Sequence, residues 1–326
     1  MKKLKHFISA PFTTLAPCVL AAFFLFCGAD DNPPDDIIVP IAEIAYGYFV
    51  EISGIPRCTY NEEAASNHLA EFGRARGFEV VQDSMFNVLV KKGGSRGREN
   101  EPPVILQAHI DMVCRKDDDV IHDFDNDPIV PVIGGDGWVT ASKRTTLGAD
   151  NGGGVSMIMA VLASNISHPP IEALFTTVEE TGLHGADFFD VSQLSGRRLI
   201  NLDITEEEVF VVKSKRDDGG AIVIPIEPAA LAKIASLPDW DYREDSPLRD
   251  TMDKVFREFY GRAPVIAAIN NRIAGVECLV FAAKMPDADM ISIGITLMDI
   301  HTPDEKMNLP SFNRVSEYLV KVLERL

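Results

Sequence analysis

PVILQAHIDMV, from Pro103 to Val113, is the stretch that decides how the chain is built. It is almost continuously apolar and turns polar at His109 and Asp111. A half-buried strand alternates apolar and polar side chains, whereas a strand covered on both faces reads as an unbroken hydrophobic run. The stretch is therefore expected to form a buried central strand with chemistry at its polar end. Residues two apart on an extended chain project to the same side, so His109 and Asp111 can act together. One can bind a metal while the other orients it, because a carboxylate on the second imidazole N–H fixes the tautomer and raises ligand basicity. A His-x-Asp alone is weak evidence for metal.

Outward from this strand, helices and strands alternate. NEEAASNHLAEFGRAR (61–76) carries Ala65, Leu69 and Phe72 at helical spacing with Gly77 as a stop. FEVVQD and NVLVKK read as short strands, and further strands are expected at IEALFTTVEE (171–180), RRLINLD (197–203), VIAAINN (265–271) and MISIGIT (290–296). Helices are expected near 152–163, 247–260 and 311–325, the last placing Phe312, Val315, Leu319, Val322 and Leu326 on one face. The pattern predicts an α/β fold, an open mixed sheet sandwiched by helices.

Acidic residues and histidines fall at the ends of these apolar runs. TTLGADNGGGVSMIMAVLA (145–163) puts Asp150 in a polar turn leading through glycines into an apolar helix, where Asp150 or Asn151 can also serve simply as an N-cap. TTVEETG ends a strand with Glu179 and Glu180, and adjacent strand residues point in opposite directions, so one can bind metal while the other reaches a water. Solvated strand-end acids are the plainer reading of that pair. Asp203 ends INLD, and His301 follows a fifth strand in ITLMDIHTPDE. Strand ends meet at one edge of an open α/β sheet, where ligands bind. Three clustered carboxylates without metal would raise one another's pKa. Two divalent ions leave one net positive charge, suited to a hydroxide. Nitrogen and oxygen ligands fit Zn²⁺, with Mn²⁺ or Co²⁺ as substitutes.

The chain has 326 residues, 46% of them hydrophobic and 25% charged, which describes a globular protein. Its 49 acidic and 31 basic residues give a net charge of −18, which repels nucleic acid and anionic membranes and favours small-molecule or peptide chemistry. Cys18, Cys27, Cys58, Cys114 and Cys278 show no CxxC or zinc-finger spacing, and no disulfide framework is expected. Lys2, Lys3 and Lys5 precede an uncharged stretch from Phe7 to Ala29. Residues 1–29 read as a signal peptide or anchoring leader, giving an exported or membrane-anchored protein, with a cytoplasmic one as the alternative. Residues 30–40 read as a linker, and membrane contact is expected only through the leader.

AHIDMV (108–113), TTLGADNG (145–152), TVEE with Gly182 (177–182), NLD (201–203) and HTPDE (301–305) resemble the motifs of the aminoacyl-histidine dipeptidases, also called cytosolic non-specific dipeptidases. HDFDNDPI (122–129), AGVEC (274–278) and PDADMISIG (286–294) fit as well. The resemblance covers residues 41–326 and implies a di-zinc peptidase catalytic domain hydrolysing dipeptides or short peptides. It implies that Asp150 bridges two zinc ions, with His109 and Asp203 completing one site and Glu180 and His301 the other. Asp111 would orient His109, and Glu179 would be the general base. Glu277 is a further candidate, for the substrate's amino group.

The chain departs from that family in one large way. The family inserts a lid domain after NLD that builds the dimer and supplies a substrate-gripping histidine. Here the connection at about 213–240 is short, and no GGHSGG-like element occurs. A monomer is therefore expected, and reduced activity, a metal-binding but impaired relative, or an amidohydrolase acting on N-acyl amino acids stand as alternatives. Arg144 replaces a small glycine and is expected either to narrow the site or to pair with a substrate carboxylate.

Overall fold

The deciding stretch forms strand β3, Val104–His109, with all six side chains buried. The computed structural model describes residues 39–215, 221–222, 233–270 and 276–326. The expected leader, nearly all of the linker and much of the 213–240 junction lie outside the described residues. Among the described residues, no helix is long and apolar enough to cross a membrane.

β3 lies between β6 (Ile171–Thr176) and β7 (Arg198–Ile204), parallel to both. β11 (Asp289–Gly294) continues the parallel set beside β7. β1 (Glu79–Gln82) and β2 (Val88–Lys92) extend one side antiparallel. β8 (Val209–Lys215), β10 (Val265–Asn270) and β9 (Ala221–Ile222) extend the other, with β8 antiparallel to β11. The order is β1-β2-β6-β3-β7-β11-β8-β10-β9, an open mixed sheet as expected.

Alternation along β3 sends side chains into two cores. Val104, Leu106 and Ala108 join the core formed with α1 (Ile41–Ser53), α2 (Glu63–Ala75), α3 (Ala149–Ala163), α5 (Pro247–Tyr260) and α7 (Leu309–Arg325). Ile105 joins the opposite core with α4 (His184–Phe188) and α6 (Cys278–Lys284). Helices therefore cover both faces, which is why β3 reads as almost continuously apolar. α7 buries Phe312, Val315, Leu319 and Val322, the stripe its spacing predicts. Its start is fixed by Asn308, whose Oδ1 accepts the Ser311 N–H at 2.9 Å.

A second, antiparallel sheet of β12 (Leu297–Met298), β13 (Lys306–Asn308), β5 (Trp138–Ala141) and β4 (Pro131–Ile133) has no counterpart in the sequence reading. Two to four residues are too few to establish a period. The strand expected over 171–180 stops at Thr176, because Val178 takes a φ of 52° and turns the chain.

Candidate metal centre

β6, β3, β7 and β11 run parallel, so their C-terminal ends share one edge. His109 is the last residue of β3, Asp203 lies one residue before the end of β7, and Glu179 and Glu180 follow β6. His301 lies in the connection from β12 to β13. All five, with Asp150, converge there.

The Glu179–Glu180 turn is held by side-chain acceptors rather than by a strand partner. The backbone N–H of Thr177 donates to Asn87 Oδ1 at 3.0 Å and that of Val178 to Glu62 Oε1 at 3.1 Å. Those of Glu179 and Glu180 donate to Asp111 Oδ1 and Oδ2 at 3.0 and 3.3 Å. Thr59 Oγ1 also donates to Asp111 Oδ2, at 2.9 Å. The His109 Nδ1 partner is the Asp111 backbone carbonyl at 3.0 Å, with the carboxylate Oδ1 at 3.4 Å. Asp111 thus faces His109 and at the same time sets the turn that carries both glutamates.

The start of α3 resolves the two readings of Asp150 and Asn151. Both have non-helical dihedrals, so regular helix begins after them. Asn151 is the cap, its Oδ1 accepting the Gly154 N–H at 3.1 Å, while its Nδ2 donates to Asp203 Oδ1 at 2.9 Å. Asp150 is left free to face the histidines. Its Oδ1 is 3.2 Å from His109 Nε2 and its Oδ2 is 3.3 Å from His301 Nε2. Asp203 Oδ1 lies 3.4 Å from His109 Nε2, and Glu180 Oε2 lies 2.9 Å from His301 Nε2. Glu179 stands further back, with Oε2 4.0 Å from His109 Nε2.

These residues fit a metal. Ligand atoms of His109, Asp150 and Glu180 all lie within 4.8 Å of one another. Glu180 Oε1 is buried with no hydrogen-bond partner, and His301 Nε2 makes no well-aligned hydrogen bond despite its short contact. Protons gather where a cation belongs. Burial alone would lower the His301 pKa, but the hydrogen bonds and charges of Asp150 and Glu180 push it up to about 11. Burial raises Glu180 to about 7 and Asp203 to about 6, with the charge of Asp150 adding to both. Glu179 is pushed well above the usual carboxylate range, by burial first and then by Asp203, Glu180 and Glu277. Divalent cations would replace those protons.

Three expectations change. Glu277 is fully buried and accepts hydrogen bonds from Gln107 Nε2 and Thr176 Oγ1, partners the sequence reading did not foresee. Arg144 is exposed and pairs with Asp117 at 2.7 Å and Asp304 at 2.5 Å. Cys58 and Cys114 form a disulfide that the sequence reading did not expect. Spacing rules miss it because the two lie 56 residues apart and meet only when Cys58 bridges to Met112 beside the end of β3.

The sequence reading also passed over Thr59, Glu62, Arg57 and Glu305. Glu305 closes the HTPDE motif, which was a usable signal; nothing local distinguishes Arg57 from a surface arginine. An open recess of about 610 Å³ lined by Tyr60, Met85, Val178, His184, Asp187 and Phe188 adjoins the Glu179 turn through Val178.

The chain is 44% identical over 165 residues to the cytosol non-specific dipeptidase of Escherichia coli K12, a match covering 50% of this chain and 34% of that protein. It thus spans about a third of that relative's length. Its fold is similar to that of an aminoacylhistidine dipeptidase from Vibrio alginolyticus, with a TM-score of 0.76 and 22% identity over 88% of this chain and 98% of that one. It also resembles aminopeptidase PepT from Bacillus cereus, with a TM-score of 0.69 and 16% identity over 87% and 98% of the two chains. Residues 105–325, more than half of the chain, match Peptidase family M20/M25/M40, and the chain belongs to that family.

Proposed function

We propose that this protein hydrolyses dipeptides or other short peptides with two divalent metal ions, zinc in the first instance. The observation that carries the reading is Asp150, whose two carboxylate oxygens each face a different histidine. His109 and Asp203 would hold one ion, Glu180 and His301 the other, and Asp150 both. Bound ions supply Lewis acidity toward the scissile carbonyl and lower the pKa of water.

The chain's own groups do the rest. Glu179 is the general base: its burial keeps its proton affinity high, which suits a group that takes a proton from water and returns it to the leaving amine. Asp111 holds Glu179 and His109 in register through the Glu179 N–H and the His109 ring. The recess beside Val178 offers apolar and aromatic surface for a substrate side chain. The short connection between β8 and α5, in place of an inserted domain, supports a monomer that grips peptides less fully than a lidded enzyme. The Cys58–Cys114 disulfide, a bond of oxidising compartments, supports the reading of residues 1–29 as an export leader.

The test is Glu179→Gln. It should keep the parent's bound zinc and lose most dipeptide hydrolysis measured with zinc or manganese added. Loss of the metal in that variant would sink the assignment of Glu179 as base.

A further inference from the structure

Two buried side chains bind the backbone beside the candidate ligands rather than the ligands' side chains. Glu305 accepts four successive backbone N–H groups: Leu147 and Gly148 on Oε2 at 2.8 and 2.9 Å, and Ala149 and Asp150 on Oε1 at 2.8 and 3.2 Å. These four N–H groups belong to the non-helical turn that precedes the regular part of α3, and buried backbone donors need acceptors. Glu305 supplies those acceptors from another part of the chain. Because it follows His301 by four residues, it fastens the His301 segment to the Asp150 turn.

Arg57 makes the matching connection on the other side. Its Nη1 donates to the Ile110 carbonyl at 2.7 Å and its Nη2 to the Gly148 carbonyl at 2.5 Å. Ile110 adjoins His109, so one guanidinium joins the His109 segment to the same turn. The planar fork reaches both carbonyls at fixed separation, which an ammonium cannot do. Burial lowers the Arg57 pKa to about 10, with Glu305, Asp111, Asp150 and Glu180 opposing, so the group stays charged at neutral pH.

We propose that Arg57 and Glu305 are the positioning residues of the metal centre, holding both histidine-bearing segments against the Asp150 turn so that the ligands are spread correctly before metal binds. This deepens the two-metal reading and rests on it. Groups that orient ligands from behind commonly contribute about ten- to a hundredfold in metal affinity.

The test is Co²⁺ titration of the metal-free full chain, followed by visible absorption, for the parent, Glu305→Gln, Glu305→Asp and Arg57→Lys, with circular dichroism to check folding. Gln keeps the shape of Glu but turns an NH₂ toward the backbone donors, Asp keeps the charge on a shorter stem, and Lys keeps the charge without the fork. Expected are folded Glu305→Gln and Arg57→Lys chains with Co²⁺ affinity about ten- to a hundredfold weaker and altered absorption bands, and partial recovery in Glu305→Asp. Folded variants with the parent's affinity and bands overturn the proposal. So does failure of both Glu305→Gln and Arg57→Lys to fold, which would make these residues supports of the whole core. A parent that takes up no Co²⁺ overturns the two-metal reading itself, before any variant is compared.

Discussion

The Asp111 carboxylate accepts the backbone N–H of Glu179 at 3.0 Å, joining the residue after β3 that faces His109 to the turn that follows β6. Burial opposes its charge, but His109, the Glu179 N–H and the Thr59 hydroxyl together hold its pKa below the usual carboxylate value. It is therefore an anion with every oxygen engaged. Asp111→Asn would turn an amide NH₂ toward one of the two backbone donors and remove the charge beside the imidazole. We expect zinc affinity to fall about ten- to a hundredfold, with kcat falling further because the Glu179 turn shifts. Metal affinity by competition with a chelator and steady-state kinetics at saturating zinc check both; an unchanged affinity counts against the role.

The disulfide gives a second prediction. Cys58 and Cys114 are separated by 56 residues, and closing a loop of that length in the unfolded chain is worth about 4 kcal/mol in the chain-entropy account. Cys58→Ser combined with Cys114→Ser should lower stability by that order, and a reductant should do the same to the parent alone. Urea unfolding with and without reductant measures it. Equal midpoints for the oxidised parent and the double variant would contradict the prediction.

How much of this was legible in the sequence depends on the range of the forces involved. β3 could be read because burial on both faces writes itself into Val104, Ile105, Leu106 and Ala108, with Gln107 the polar exception. α5 and α7 could be read because their apolar faces repeat over several turns. The meeting of His109, Glu179, Glu180 and Asp203 at one edge followed from the rule that strand ends converge. What stayed hidden was nonlocal. Val178 reverses the chain through a positive φ, and the acceptors Asn87, Glu62 and Asp111 that hold the N–H groups of this turn come from three distant segments. Arg57 acts through carbonyls that carry no sequence identity at all. Glu277 read as a candidate for the substrate's amino group because AGVEC says nothing about the layer that buries it.

Gly148 gives a third prediction. It has a φ of 70°, and a Cβ there would lie 2.6 Å from both Arg57 Nη2 and Met112 Sδ. Gly148→Ala therefore carries a backbone cost of about 1–2 kcal/mol and an overpacking cost of about 1–3 kcal/mol. Gly261, with a φ of 72° and open space around its Cα, is the control that carries only the first. The Gly148 variant should lose more stability than Gly261→Ala in urea unfolding, and it alone should bind Co²⁺ more weakly. Equal losses would mean that the close approach to Arg57 is unimportant.

Glu277 gives a fourth, in pH dependence. Burial pushes its carboxyl up to about 8; the charge of His109 and the Thr176 hydroxyl oppose this, and Asp203 and Asp111 add to it. In the unfolded chain it titrates near the ordinary value of 4.5. Between those two pH values the native state holds a proton that the unfolded state has released. The contribution of Glu277 to stability therefore falls as pH rises across that window and levels off above about 8. The sign is opposite to that of a salt-bridged carboxylate. Glu277→Gln keeps the shape and cannot ionise, so it should remove this slope. Relative to the parent, the variant should gain on the order of a few kcal/mol between pH 5 and pH 9, at about 1.4 kcal/mol per pKa unit. Urea unfolding of the metal-free chains at pH 5, 7 and 9 reads the difference directly. Parallel curves for parent and variant would show that Glu277 ionises in the folded protein as easily as in water.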